Sequence, residues 1–173
     1  MKRGLFFIMV MLAGCQPKFD KVTVEMYATD ENKQKIGTIT FADTAQGLRI
    51  NTDLYGLPAG EHGFHIHENP SCAAAADKNG KMQPAQAAGG HFDPEHSGKH
   101  LGPHGHGHRG DLPALRVEAD GTAKQEFYLP DNRLKVADIH ARSVIIHAGG
   151  DNYSDEPNPL GGGGARIACG VIK

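Results

Sequence analysis

A histidine-rich segment in the middle of the chain is the clearest sign of chemistry in this sequence. Six of the eleven histidines in the 173 residues lie between Gly89 and Asp111. A metal ion rarely takes more than three or four imidazoles, so these histidines must differ in role. His91, His100, His108 and Asp111 are separated by nine, eight and three residues. Three imidazoles and a carboxylate form a ligand set that suits tetrahedral zinc.

A second group of histidines suits a different metal. His65 and His67 are two residues apart in the run HGFHIHE, so on a strand their side chains project to the same side. His62 should face the opposite way and have a structural role. His147 ends the apolar run SVIIH. Together, His65, His67 and His147 would suit copper, because imidazole-rich tetragonal sites favour Cu(II). A histidine-rich loop that binds metal non-selectively would show a similar density of imidazoles.

The elements that must position these side chains are short strands. The chain has 23 glycines, 10 prolines and no tryptophan, which favours many short elements over a few long helices. Eight segments alternate apolar and polar residues between turn residues: 22–29, 35–42, 47–57, 61–68, 112–120, 122–130, 142–149 and 165–172. This pattern predicts an all-β antiparallel sandwich or barrel, with at most one helical turn in 132–141. Residues 69–111 and 149–164 break the strand rhythm and are predicted to be two long functional loops.

The first residues are predicted to direct export. Lys2 and Arg3 precede an apolar stretch, Leu5 to Met11, that is far too short to span a bilayer. The following LAGC, ending at Cys15, resembles the bacterial lipoprotein box, in which cleavage leaves the cysteine lipid-modified. We therefore expect a signal peptide at 1–14, a lipidated tether at 15–21 and one domain at 22–173. An ordinary secretory signal is the alternative, and it also exports the protein.

The number of cysteines predicts a disulfide, and the net charge limits the classes of partner. Three cysteines are an odd number for an exported protein. If Cys15 carries lipid, Cys72 and Cys169 should pair in an oxidising compartment, the alternative being two separate buried thiols. The formal net charge of −2 provides no basic surface, which excludes nucleic acid as an expected partner.

Six motifs in consistent order resemble one enzyme family. They are GFHIHENPSC, AGGHFDP, GKHLGP, GHRGDLPAL, IIHAGGDNYSD and PLGGGGARIACGVIK, and the match as a whole covers about residues 22–173. The sequence closely resembles the bacterial periplasmic branch of the copper, zinc superoxide dismutases. The resemblance implies an eight-stranded Greek-key β-barrel. It also implies dismutation of superoxide to oxygen and hydrogen peroxide at a copper centre bridged to zinc.

The resemblance also assigns roles to individual residues. It implies copper binding by His65, His67, His91 and His147, and zinc binding by His91, His100, His108 and Asp111. The imidazolate of His91 would bridge the two ions and be catalytic. Asp151 would hydrogen-bond one histidine of each metal, and Arg166 would lie beside the copper as the second catalytic residue. Cys72 and Cys169 match the disulfide of the family.

Some features leave alternatives open. His96, His104 and His106 lie where the motifs require no histidine, and they are either solvated loop residues or an auxiliary metal-capture surface. His140 is assigned no role. A non-catalytic periplasmic copper or zinc carrier, or a chaperone with this fold, is the main alternative function, and a structural adhesion-type sandwich is another.

The lipoprotein motif and the family resemblance predict the location of the protein and leave its oligomeric state open. We expect an exported, periplasmic protein anchored through lipid on Cys15 to the outer membrane, because Gln16 is not the acidic residue associated with inner-membrane retention. There it would protect the cell envelope from superoxide. Monomer and homodimer are both open.

Overall fold

A computed structural model describes residues 19–129 and 133–173 of the chain. The predicted signal peptide and the lipidation site at Cys15 lie outside the described residues. Within the described residues, no helix is long and apolar enough to cross a membrane.

Short strands make up almost all of the regular structure. In chain order they are β1 (Lys21–Ala28), β2 (Lys35–Thr44), β3 (Gly47–Leu54), β4 (Gly60–His62), β5 (Phe64–His67), β6 (Ala75–Ala76), β7 (Met82–Gln83), β8 (Leu115–Val117), β9 (Ala123–Leu129), β10 (Arg142–His147) and β11 (Arg166–Ile172). One α-helical turn, α1 (Val136–Ile139), and two 3-10 turns at Gln86–Ala88 and Leu160–Gly162 complete the described elements. The prediction of an all-β protein with one helical turn in 132–141 is confirmed.

Seven strands form one antiparallel sheet in the order β5-β10-β11-β1-β2-β3-β9. The chain crosses the sheet three times, from β3 to β5, from β5 by way of β8 to β9, and from β9 to β10, in a Greek-key arrangement. β4 and β8 pair separately. Since β4 runs into β5 at one edge and β8 leads into β9 at the other, this pair lies between the two edges of the curled sheet.

The eight predicted strand segments all contain strands, with one difference. Segment 61–68 is divided into β4 and β5 at Gly63, whose N–H donates to the carbonyl of Gly149 instead of a neighbouring strand. A Cβ at Gly63 would lie 3.0 Å from the ring of His65, a tight contact that favours glycine. The two-residue strands β6 and β7 inside the first long loop were not predicted.

The alternation of apolar residues builds the core that holds the sheet together. Ile39 and Phe41 of β2 and Ile50 of β3 have no exposed surface, while intervening polar residues face outward. Phe64 and Ile66 extend the same core to β5. Full burial of each such side chain contributes roughly 1.5–3 kcal/mol. The strands therefore form a rigid base for the loops.

Two long connections carry most of the irregular structure, as predicted. One runs from β5 to β8 (residues 68–114) and the other from β10 to β11 (residues 148–165). Cys72 of the first connection is disulfide-bonded to Cys169 of β11, with 5.8 Å between the Cα atoms. The 97-residue separation makes this bond worth roughly 4–5 kcal/mol on the chain-entropy model.

Candidate metal centre

The first long loop turns back along β5 and brings its ligands to the histidines of that strand. Ile66 at the centre of β5 donates to the carbonyl of Gly110 and accepts from the N–H of Phe92, both at 2.9 Å. As a result, His65 pairs with Asp111 and His67 with His91 across isolated bridges. β10 lies on the other side of β5 and places His147 beside them. Side chains distant in sequence therefore meet at one strand.

Four imidazoles come together at the first group. One ring nitrogen each from His65, His67, His91 and His147 lies within 4.8 Å of the other three, and all four residues are buried. Each of three rings has one nitrogen fixed by a partner: His65 Nε2 by Asp151 (2.7 Å), His67 Nδ1 by the carbonyl of Gly89 (3.0 Å), and His147 Nδ1 by the carbonyl of Gly164 (3.1 Å). These are the four residues predicted to bind copper.

The nitrogens left over in this group are buried without hydrogen-bond partners. They are His65 Nδ1, His67 Nε2, His91 Nε2 and His147 Nε2. Buried polar atoms are nearly always satisfied, so four orphaned acceptors in one place fit a metal ion. Burial, and then the charge of neighbouring His65, lowers the pKa of both His91 and His147 to about 3. Their rings are therefore neutral at physiological pH, as metal binding requires.

A second group adjoins the first through His91. Asp111 Oδ1 lies 3.0 Å from His91 Nδ1 and 3.5 Å from His108 Nδ1, and Asp111 Oδ2 lies 3.0 Å from His100 Nδ1. The His100 nitrogen and Asp111 Oδ2 nevertheless form no hydrogen bond with each other, which fits donor atoms directed at a shared ion. These are the four residues predicted to bind zinc.

Opposing effects set the charge of this second group. Burial raises the pKa of the Asp111 carboxyl, but the nearby ring nitrogens of His100, His108 and His91 outweigh it and keep that pKa well below its usual range. Burial likewise lowers the pKa of His100, but Asp111 and Asp151 raise it to about 9. The carboxylate therefore stays ionised and supplies a negative charge for a cation.

The carboxylate of Asp151 is hydrogen-bonded to one histidine ring of each group. Its Oδ2 lies 2.7 Å from His65 Nε2, and its Oδ1 lies 2.7 Å from His100 Nε2. Because both ring nitrogens donate to the carboxylate, the opposite nitrogens of both rings are left as lone-pair donors. The backbone N–H of Tyr153 also donates to Oδ1 at 2.8 Å. One carboxylate thus fixes the tautomer of a ring in each group.

Arg166 lies beside the first group because it is the cross-strand partner of His147. Its guanidinium donates to the carbonyls of Ala85 and Gly89, each at 2.7 Å. The Gly89 carbonyl also accepts from His67, so the arginine and this histidine share one anchor. Gly89 has φ +80°, and a Cβ there would lie 2.7 Å from the Glu68 carboxylate, so only glycine suits this position.

The other histidines lie apart from both groups. The ring nitrogens of His62 are 2.7 and 2.8 Å from the carbonyls of His147 and Pro58, which leaves no nitrogen for a metal and fits its predicted structural role. The remaining four are exposed: His96, His104, His106 and His140.

Several groups that hold the site residues in place could not be recognised from the sequence. The carbonyls of Ala85, Gly89 and Gly164 hold the arginine and two rings, but a backbone carbonyl has no side-chain type to recognise. Asp155 accepts the backbone N–H of His100 at 3.0 Å, and Arg133 contacts the loop of His108. In the sequence, Asp155 lies in an SDE run and Arg133 is an isolated arginine, and neither pattern indicated a role in the site.

Comparison with known proteins gives the same outcome as the geometry. Residues 35–172 match the family described as copper/zinc superoxide dismutase (SODC). The chain is 48% identical over 177 residues to a Cu-Zn superoxide dismutase of Brucella melitensis, and the alignment covers both chains completely. The solved Cu/Zn superoxide dismutase from Brucella abortus matches with a TM-score of 0.84 at 48% identity, covering 89% of this chain and all of that one. The monomeric enzyme of Salmonella enterica matches with a TM-score of 0.73 at 47% identity, covering 90% and 100%.

An antiparallel β scaffold holding two adjoining groups of metal ligands that overlap through histidine defines a two-metal protein. The chain belongs to the copper/zinc superoxide dismutase family. It is an enzyme that converts superoxide to oxygen and hydrogen peroxide, with a histidine-bridged pair of copper and zinc sites. No observation favours the carrier, chaperone or adhesion alternatives.

Proposed function

We propose the following assignment of ligands. Copper is bound by His65 Nδ1, His67 Nε2, His91 Nε2 and His147 Nε2, and zinc by His91 Nδ1, His100 Nδ1, His108 Nδ1 and a carboxylate oxygen of Asp111. The observation that carries this assignment is the set of buried ring nitrogens without partners, to which His91 Nδ1, 3.0 Å from Asp111 Oδ1, is added on the zinc side. Nitrogen donors around one ion suit copper, and a mixed nitrogen and carboxylate set suits zinc.

His108 rather than His65 is proposed as the fourth zinc ligand. A ring nitrogen of His65 lies within 4.8 Å of the donor atoms of His91, His100 and Asp111. However, His65 Nε2 is hydrogen-bonded to Asp151, and the other ring nitrogen of His65, Nδ1, already belongs to the all-histidine group. His108 Nδ1 is buried, has no hydrogen-bond partner and is near Asp111. Assigning His108 to zinc gives every buried histidine nitrogen without a partner one role.

The protein residues have distinct roles in the reaction. Two superoxide ions and two protons give one oxygen and one hydrogen peroxide. When bound, copper supplies a one-electron couple that accepts an electron from one superoxide and returns it to the next, whereas zinc is redox-inert. His91 is suited to hold a proton at Nε2 and deliver it to the peroxide product, while its Nδ1 side keeps the ring oriented. Arg166 is suited to bind the anion, because its half-buried guanidinium is fixed beside the copper group.

Paired ligand variants test this assignment. We expect His147→Ala to weaken copper binding at least about 100-fold while zinc is retained, since even a hydrogen-bond partner of a ligand contributes about 10–100-fold. We expect His108→Ala to weaken zinc binding by a similar factor while copper is retained. Metal analysis and dismutase assays on reconstituted protein measure both effects. His140→Ala, at an exposed position, is the control. Loss of the same metal from both variants would contradict the assignment.

We also propose that the enzyme is exported and attached to a membrane. Residues 1–14 are the signal, Cys15 carries lipid, residues 15–21 form a tether and residues 22–173 form the enzyme domain. The basic start, the short apolar stretch and the LAGC motif support this proposal. The lipid would hold the enzyme at the periplasmic side of the outer membrane, where it removes superoxide from the cell envelope. Either a monomer or a homodimer is compatible with this location.

Changing Cys15 to alanine tests the anchor. Loss of the lipid removes the hydrophobic attachment, so the variant is expected to move from the membrane fraction to the soluble periplasmic fraction. Immunoblots of separated inner membrane, outer membrane and periplasm, together with the mass of the N-terminal peptide, measure this change. Wild-type protein in the soluble fraction, or an unmodified Cys15 peptide, would refute the anchor.

A further inference from the structure

Arg133 contacts the backbone of the loop that carries a proposed zinc ligand. It lies between β9 and α1, far in sequence from the histidine-rich segment. One guanidinium nitrogen donates to the carbonyl of Gly105, and the other donates to the carbonyl of His108 at 2.6 Å. A planar guanidinium can bind two acceptors in a fixed geometry, which the ammonium of a lysine cannot do. Arg133 therefore joins two points of this loop.

Apart from Arg133, the segment is held by burial of Gly102, Pro103 and Gly107 and by short-range backbone hydrogen bonds. Residues 101–108 form no helix or strand and contain glycines at 102, 105 and 107. Glycines give a backbone high conformational freedom, which must be restricted if a side chain is to be placed accurately. Among the described residues, Arg133 is the side chain that donates hydrogen bonds to the carbonyls of this segment.

The backbone of His108 is fixed at both of its polar atoms. Its N–H donates to the carbonyl of Lys99 at 2.9 Å, and its carbonyl accepts from Asp111 N–H at 3.3 Å as well as from Arg133. The side chain of His108 is 9% exposed, whereas those of His91, His100 and Asp111 are at most 1% exposed. His108 is therefore the most exposed side chain of the zinc group, and its backbone is anchored by Lys99, Asp111 and Arg133.

We propose that Arg133 is a positioning residue for the zinc site, acting through the carbonyls of Gly105 and His108 to place the His108 ring. The proposal rests on the assignment of His108 to zinc. The copper group has no ligand in residues 101–108, so the effect should be selective for zinc. Charge and positioning predict opposite changes: removing a cation near the site would by itself strengthen zinc binding, whereas a misplaced ring would weaken it.

Zinc binding to four variants of the full chain tests this proposal. Arg133→Gln removes the guanidinium that donates to two carbonyls, and Arg133→Lys keeps the positive charge without that two-point contact. Arg116→Gln is the matched control, because its side chain is 75% exposed and its partner Glu118 is at 3.7 Å. His108→Ala is the reference for loss of the ligand itself. After metal removal, zinc and Cu(I) affinities are measured by competition with chromophoric chelators, and the visible spectrum of Co(II) at the zinc site reports its geometry.

We expect both Arg133 variants to bind zinc about 10–100-fold more weakly, with an altered Co(II) spectrum and unchanged Cu(I) affinity. Unchanged zinc affinity, or an equal loss of zinc and Cu(I) binding, would overturn the positioning role. Failure of both variants to fold without metal, seen by circular dichroism, would also overturn it, because the arginine would then support the whole domain. If His108→Ala leaves zinc affinity unchanged, the ligand assignment fails instead.

Discussion

Replacing Asp151 with leucine is expected to weaken copper and zinc binding together, by about 10–100-fold for each metal. Leucine has nearly the shape of aspartate but cannot accept a hydrogen bond. His65 Nε2 and His100 Nε2 would both lose their acceptor. Each ring could then protonate its metal-facing nitrogen, and a protonated nitrogen cannot bind a metal. Metal titrations and dismutase activity at limiting copper measure the effect.

Asparagine at the same position should have a different outcome. An amide has one acceptor oxygen, so it can serve the N–H of only one of the two rings, while its NH2 group faces the other. Asp151→Asn should therefore weaken one metal much more than the other. Burial raises the pKa of Asp151, but hydrogen bonds from His100 and His65 outweigh it and keep that pKa below its usual value, so the wild-type group acts as a carboxylate.

A substitution in an exposed turn provides the control for the Asp151 variants. Asp120 accepts hydrogen bonds only from the neighbouring Thr122 and its own turn, so Asp120→Leu should leave both metal affinities unchanged. If Asp151→Leu lost a single metal, the view that one carboxylate orients a ring in each site would be wrong.

Replacing Arg166 with isoleucine is expected to slow turnover about tenfold or more while the copper content stays normal. A hydrogen bond from a charged group to the substrate anion contributes about 1.5–3 kcal/mol, and each 1.36 kcal/mol corresponds to a factor of ten in rate. No proposed ligand atom belongs to Arg166, so copper binding should survive the change. Stopped-flow measurement of kcat/KM at low ionic strength tests this expectation.

The dependence of the dismutation rate on salt distinguishes the effect of the Arg166 charge from the effect of its shape. In the proposed role, the Arg166 guanidinium would attract superoxide by its local field even though the net charge of the chain is −2, and salt would screen that attraction. Arg166→Lys should retain most of the salt dependence, and Arg166→Ile should lose much of it. Arg116→Ile, at an exposed position, is the control. An unchanged rate for Arg166→Ile at low salt would refute the proposed role.

The sequence predicted the strands and the grouping of histidines because both depend on local pattern. Alternation placed His65 and His67 on one side of a strand, and the buried pair in β5 fits this prediction. The meeting of His147 with these residues depends on the pairing of β10 with β5, which local pattern cannot specify. Motif resemblance supplied that non-local information in advance.

Other features of the site could not be predicted from side-chain types. In His67 and His147, the ring nitrogen that is left without a partner is decided by the carbonyls of Gly89 and Gly164, and backbone atoms are common to all residues. The break at Gly63 arises from a contact with Gly149 across 86 residues of chain. Arg133 stands outside every motif, and its role follows only from the loop that packs against it.

The measurement that most directly tests the account is anomalous diffraction from crystals of the chain loaded with copper and zinc, collected at both absorption edges. We predict one copper and one zinc on opposite sides of the His91 ring, with Nε2 directed at copper and Nδ1 at zinc. A ring of His91 turned away from either ion, or copper located among His100, His108 and Asp111, would contradict the shared-imidazole centre.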